Sequence, residues 1–181
     1  MSDETTCNRN LGALPRLNVA SLTPAEQFVL RVCRCWDAFM DDPDPNLPWR
    51  ELTPVFSYMN VAGALCAFEC IFTPLHRQRL RTLRFQDVDA ASVGTDEARM
   101  LCSLACLQRE QGQASIGVLL GALTPQGVRT LLPPLARAAA ILDRQGHRLP
   151  AWRFASARNV RLQRQSVQRH ETSWPPRCPV Q

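Results

Sequence analysis

The residues with the most chemistry in this 181-residue chain are its eight cysteines, six of which come in close pairs. Cys33 and Cys35 lie two apart, whereas Cys66 and Cys70, and Cys102 and Cys106, lie four apart. A spacing of four on a helix puts both sulfurs on one face, with Cβ atoms about 5–6 Å apart. Two such pairs on facing helices would supply four thiolates, a tetrahedral soft-donor set that suits Zn²⁺ or Cu(I). Cys66, Cys70, Cys102 and Cys106 are therefore candidate metal ligands, and Met59 shares the helical face of the first pair. Cys33 and Cys35 sit about 200° apart around a helix and would not chelate together there. The same residues admit two other readings. Reduced cysteine is a small hydrophobe that packs in cores, and a thiol in a suitable environment is a redox group. No CxxC and no Cys/His zinc spacing occurs.

Other chemistries are poorly supplied. Every one of the 21 basic residues is arginine, which excludes a lysine Schiff base and a P-loop lysine. There is no G-x-S-x-G, no H-E-x-x-H and no glycine-rich phosphate loop. The three histidines, His76, His147 and His170, are expected in solvent. An acidic cluster, Asp37, Asp41, Asp42 and Asp44, lacks calcium-loop spacing and reads as a solvated turn after a helix. Like charges there oppose the helix dipole, and the sequence offers no reason for them.

The C-terminal segment carries the charge. From Arg144 to Gln181 there are eight arginines against one acid, a balance of +7, while residues 1–143 carry thirteen against fifteen, a balance of −2. Trp152, Arg153, Arg158, Arg161, Arg164 and Arg169 mix aromatic and guanidinium groups in a way that suits an anionic partner surface or nucleic acid. The alternative is a disordered or loosely helical basic tail.

The elements that position these groups are expected to be helices. Four Thr-Pro pairs (Thr23-Pro24, Thr53-Pro54, Thr73-Pro74 and Thr124-Pro125) match a capping threonine followed by proline at the first helical position. Glu26 completes a capping box with Thr23. Helices are predicted over 24–40, 54–72, 74–85, 95–111, 114–123 and 125–144, with a loop over 86–93. Thr95 is read as the cap of the fourth, and Pro133-Pro134 are expected to kink or split the last. In the second, Val61, Leu65, Phe68 and Phe72 make a bulky face, while Val55, Met59, Ala62, Cys66 and Cys70 make a separate one of smaller groups and sulfur. The fold class is all-α, a compact bundle of five to six helices. Residues 1–21 form a loose arm, 22–150 the helical domain and 151–181 the arginine-rich tail.

The order of elements from Pro74 to Pro150 resembles a family of uncharacterised helical proteins from alphaproteobacteria. The matching features are the arginine-rich stretch Leu80 to Arg84, Thr95-Asp96-Glu97-Ala98 opening a helix, Gly117 to Leu123, and Gly146-His147-Arg148-Leu149-Pro150 closing an alanine-rich helix. Members carry a cysteine run where this chain reads Phe85-Gln86-Asp87-Val88. The resemblance implies no activity.

The arginine-, alanine- and proline-rich composition matches a GC-rich bacterial genome. The polar first ten residues do not look like a secretory signal, no stretch is apolar enough to span a membrane, and the cysteines are expected reduced in the cytoplasm. The function expected is that of a non-enzymatic binding protein, a regulatory or adaptor module with a protein or anionic partner. The alternative is a thiolate metal-binding or metal-sensing bundle using Zn²⁺ or Cu(I).

Overall fold

A helix begins where a side chain takes up the backbone donors its first turn leaves free. Thr23 and Glu26 do this reciprocally. Thr23 Oγ1 accepts from the Glu26 N–H, and Glu26 Oε2 accepts from the Thr23 N–H at 2.8 Å. Behind this capping box helix α1 runs over Pro24–Phe39. In the computed structural model, which describes residues 9–10, 17–77 and 83–153, five helices follow: α2 (Leu47–Tyr58), α3 (Ala62–Arg77), α4 (Thr95–Leu107), α5 (Gly112–Leu119) and α6 (Pro125–Arg144). The chain is all-α, with one minor addition. Arg9–Asn10 (β1) pairs in parallel with Trp152–Arg153 (β2).

Two of the four Thr-Pro pairs do not start helices. Thr124 caps α6 through its Oγ1 at 3.1 Å from the Gly127 N–H, as Thr23 caps α1. Pro54 and Pro74 instead lie inside α2 and α3. At the first of these, Thr53 Oγ1 donates back to the Trp49 carbonyl at 2.5 Å, a mid-helix use of the hydroxyl. The predicted helix over 54–72 is therefore two helices. Asn60, in a left-handed conformation with φ 56°, turns the chain between them. Asn60 Nδ2 donates to Gln145 Oε1 at 3.0 Å, which fixes that turn to the end of α6. The predicted helix over 74–85 is absent as a separate element. Its start belongs to α3, residues 78–82 lie outside the described residues, and Leu83 onward is non-helical. Gly94, not Thr95, precedes the first turn of α4. The last helix is neither split nor interrupted at Pro133-Pro134. Pro133 is exposed, so the carbonyl it leaves unbonded lies on the solvent side. Gly146 (φ 81°) closes α6, with His147 N–H bonding the Leu142 carbonyl at 2.9 Å and Gly146 N–H the Asp143 carbonyl at 3.0 Å, a Schellman ending.

Helix α4 is the centre of the bundle. Ala98, Met100, Leu101, Cys102, Ser103, Leu104, Ala105 and Cys106 are all buried, and α1, α5, α6 and β2 pack around it. On α3 the bulky face predicted from sequence goes inward. Val61, just before the helix, and Leu65, Phe68 and Phe72 within it are buried, with Phe68 edge-on to Phe56 at 5.5 Å and Phe72 stacked on Trp36 at 5.9 Å.

One buried ion pair ties the halves together. Arg34 of α1 and Glu97 of α4 are 2% and 1% exposed. Arg34 Nε donates to Glu97 Oε1 at 2.8 Å and Nη2 to Oε2 at 2.9 Å. Arg34 also donates to the carbonyls of Ala90 (2.6 Å) and Ser92 (2.7 Å). Glu97 accepts in addition from the N–H groups of Gln86 (2.8 Å) and Gly94 (2.7 Å). The predicted loop is thus pinned along its length. It holds the residues before α1 in turn, since Val19 N–H bonds the Ala91 carbonyl and Val93 N–H the Leu17 carbonyl, both at 2.8 Å. Leu17 to Ser21, expected within a loose arm, are fixed for that reason. Among the described residues, no helix is long and apolar enough to cross a membrane.

Removing one partner of a saturated buried pair leaves an uncompensated charge. Arg34→Met is expected to destabilise the fold by about 3–5 kcal/mol, measured by urea unfolding. Arg34→Lys is expected to recover little of it, because an ammonium lacks the planar fork.

Candidate functional site

The acidic turn after α1 has a structural purpose at its far end. Asp42 Oδ1 accepts from the Asp44 N–H at 2.8 Å, and Asp44 Oδ1 from the Asn46 N–H at 2.9 Å. Asp44 Oδ2 takes Arg50 Nη1 at 2.8 Å. These carboxylates sit at the N-terminus of α2, where the helix dipole favours them. The segment read as a stop for one helix is the start of the next, with Pro48 in its first turn.

Because α2 starts there, it faces α3 across a cavity of about 230 Å³ lined by Trp36, Phe39, Met40, Asp42, Pro45, Pro48, Trp49, Glu69, Thr73 and His76. Trp36 and Pro48 are buried, while Phe39, Trp49, Glu69 and His76 are half-buried. Trp49 Nε1 donates to Glu69 Oε1 at 3.1 Å, which satisfies a half-buried indole and holds the carboxylate on the wall. His76 Nδ1 is buried with no hydrogen-bond partner among the described residues and lies 3.9 Å from Asp41 Oδ1. The arrangement suits holding a ligand by aromatic contact and charge. Sequence reading missed it, because Trp49 stands on α2 while Glu69 and His76 stand two turns apart on α3. The usable signal was a carboxylate, Glu69, set in an otherwise apolar stretch of α3.

The cysteines are not brought together as the metal reading expects. Cys66 and Cys70 are exposed, Cys102 and Cys106 buried, Cys33 buried and Cys35 half-buried. Among the described residues no three histidine, cysteine or acidic side chains form a metal-binding group, so the four sulfurs do not share one tetrahedral site. Met59, half-buried, packs against the core, and its carbonyl meets His147 Nε2 at 2.8 Å. His147 is therefore built into the fold, contrary to its expected solvent position. The face of Ala62, Cys66 and Cys70 points outward. It is α4, not α3, that packs on all sides.

Within each pair the thiols do interact. Desolvation, then the Cys66 thiol and the Glu69 charge, push the Cys70 thiol up. Burial pushes Cys33 up strongly, with Glu97 and Asp37 adding to it. Cys106 moves the other way, to about 7: a hydrogen bond from Cys102 lowers it most, desolvation opposes that, and the Arg109 guanidinium lowers it further. Arg109 is itself fixed by bonds to the carbonyls of Ala105 and Leu149, both at 2.7 Å.

Of the residues expected to bind a partner, Trp152 and Arg153 form β2. Arg158, Arg161, Arg164 and Arg169 lie outside the described residues. Comparison with known proteins finds no matching family model, no matching curated protein and no matching solved structure.

The Cys106 value in the folded chain lies below the ordinary 9.0. Its thiolate therefore adds stability that is complete above pH 9 and lost as the pH falls through about 7. Site-resolved alkylation is expected to modify Cys66 and Cys70 first and Cys33 last. Reaction at Cys106 should rise with a midpoint near pH 7, and Cys102→Ala should move that midpoint upward.

Proposed function

We propose that this chain is a non-enzymatic binding module, regulatory or adaptor in role, that works in the cytoplasm. Its packed body holds a protein partner and its arginine-rich C-terminal segment engages an anionic surface. The observation that carries the reading is the cavity between α1, α2 and α3, walled by Trp36, Phe39 and Trp49 and set with carboxylates. Aromatic and charged groups converging on a concave surface are the usual means of recognition. The charge division supports the second contact, since a nearly neutral body joined to a segment of balance +7 separates shape recognition from electrostatic attraction. Exposed Cys66 and Cys70 suit a reducing compartment.

A short single-stranded DNA or polyglutamate serves as the anionic probe. Replacing Arg158, Arg161, Arg164 and Arg169 together by glutamine in the full chain is expected to weaken binding about tenfold or more and to flatten its salt dependence. Unchanged affinity and salt slope would remove the segment from the reading.

A second reading keeps the thiolates. It rests on Cys66 and Cys70, exposed together on one face of α3 with their thiols in contact. Such a pair offers two soft donors to Zn²⁺ or Cu(I). Added Zn²⁺ or Cu(I) is then expected to raise the Tm of the reduced protein, but not that of Cys66→Ser/Cys70→Ser. An equal rise in both, or none in either, discards this reading.

A further inference from the structure

The cavity between α1, α2 and α3 holds negative charge that the described residues around it leave unbalanced. Glu69 is half-buried, accepts one hydrogen bond from Trp49 Nε1 at 3.1 Å, and makes no ion pair among the described residues. Asp42 lines the same space, and among the described residues no arginine does. The nearby Arg50 is occupied elsewhere, at 2.8 Å from Asp44 and 3.2 Å from Glu51. Trp36, Phe39 and Trp49 are among the lining residues, and aromatic rings of this kind attract cations. In the Nε2-protonated tautomer His76 adds a buried Nδ1 that can accept and has no donor among the described residues.

We infer that this cavity receives an arginine side chain of a partner polypeptide. Its volume, about 230 Å³, is below the roughly 300–1,000 Å³ of pockets that enclose drug-sized ligands, and it suits a single side chain. An apolar stem fits against Pro48, Met40 and Phe39. A planar guanidinium stacks on an indole and brings several N–H donors in fixed directions, enough for the free capacity of Glu69 and for His76 Nδ1. An ammonium supplies the charge without the flat face. The inference deepens the binding-module reading and rests on it. The anionic-probe result above and the result below concern different ends of the chain, so each can fail alone.

The probe is an acetylated, amidated pentapeptide with one arginine between glycines, titrated into the full chain while the Trp49 indole N–H resonance is followed. That resonance is identified by its loss in Trp49→Phe. A saturable shift is expected. The citrulline peptide, equal in shape but uncharged, should bind about tenfold or more weakly, and the lysine peptide more weakly than arginine. Glu69→Gln keeps an acceptor for Trp49 and removes the charge. It should weaken the arginine peptide by about tenfold with the thermal unfolding midpoint unchanged. Equal binding of the citrulline peptide, no effect of Glu69→Gln, or no saturation at roughly 10 mM peptide would each overturn the assignment.

Discussion

The fold depends on one ion pair made deep inside it. Taking a guanidinium and a carboxylate out of water costs several kcal/mol per ion, and their attraction offsets this only when every remaining lone pair and proton is satisfied. Arg34 and Glu97 approach that condition closely. Each Glu97 oxygen accepts two hydrogen bonds, one from the guanidinium and one from a backbone N–H. Arg34 gives two further donors to the carbonyls of Ala90 and Ser92. The pair thus does more than join α1 to α4. It gives the non-helical stretch from Gln86 to Gly94 the hydrogen-bond partners that neither helix nor sheet provides there. That stretch then pairs with Leu17 and Val19 and orients the approach to α1. Loss of the pair would release three segments at once.

A second set of polar contacts closes the opposite side of the bundle. Gln108 donates to the His147 carbonyl at 3.0 Å and accepts from the Leu149 N–H at 2.8 Å. Its side-chain amide acts as a short piece of backbone. With Arg109 on the Leu149 carbonyl and His147 on that of Met59, the chain after α6 is tied to the end of α4 and to the turn between α2 and α3. Ser103 and Ser115 share a buried bond of 2.5 Å between α4 and α5. The central helix therefore carries polar groups at buried positions only where each has a partner across an interface.

The all-α class was legible because its strongest signals are local. The Thr23–Glu26 capping box, the stop at Gly146 and the inward face of Val61, Leu65, Phe68 and Phe72 all rest on spacings within a few turns. What was not legible depends on neighbours. A threonine before a proline has the same appearance whether it caps a helix, as Thr124 does, or bonds back to a carbonyl in mid-helix, as Thr53 does. The two helical cysteine pairs are likewise identical in spacing. Only the packing of α4 between α1, α5 and α6 buries one pair, and only the outward face of α3 exposes the other. Arg34 could not be matched to Glu97 across 63 positions by any periodicity. Its clue was a charge set beside buried Leu30, Cys33 and Trp36 on an amphipathic helix.

The same misplacement of α2 hid the site. If the helix began at Pro54, Pro48 and Trp49 would belong to a solvated turn, and Glu69 would face water. Beginning at Leu47, under the carboxylates of Asp42 and Asp44, it sets Trp49 opposite Glu69. An indole N–H that is half-buried needs an acceptor, and Glu69 supplies one while bringing a charge that apolar walls would otherwise exclude. That charge opposes collapse of Trp36, Phe39 and Trp49 onto one another, since closing them would desolvate a carboxylate that holds a single hydrogen bond among the described residues. The cavity stays open for a physical reason: the group that orders its wall is also the group that resists being sealed.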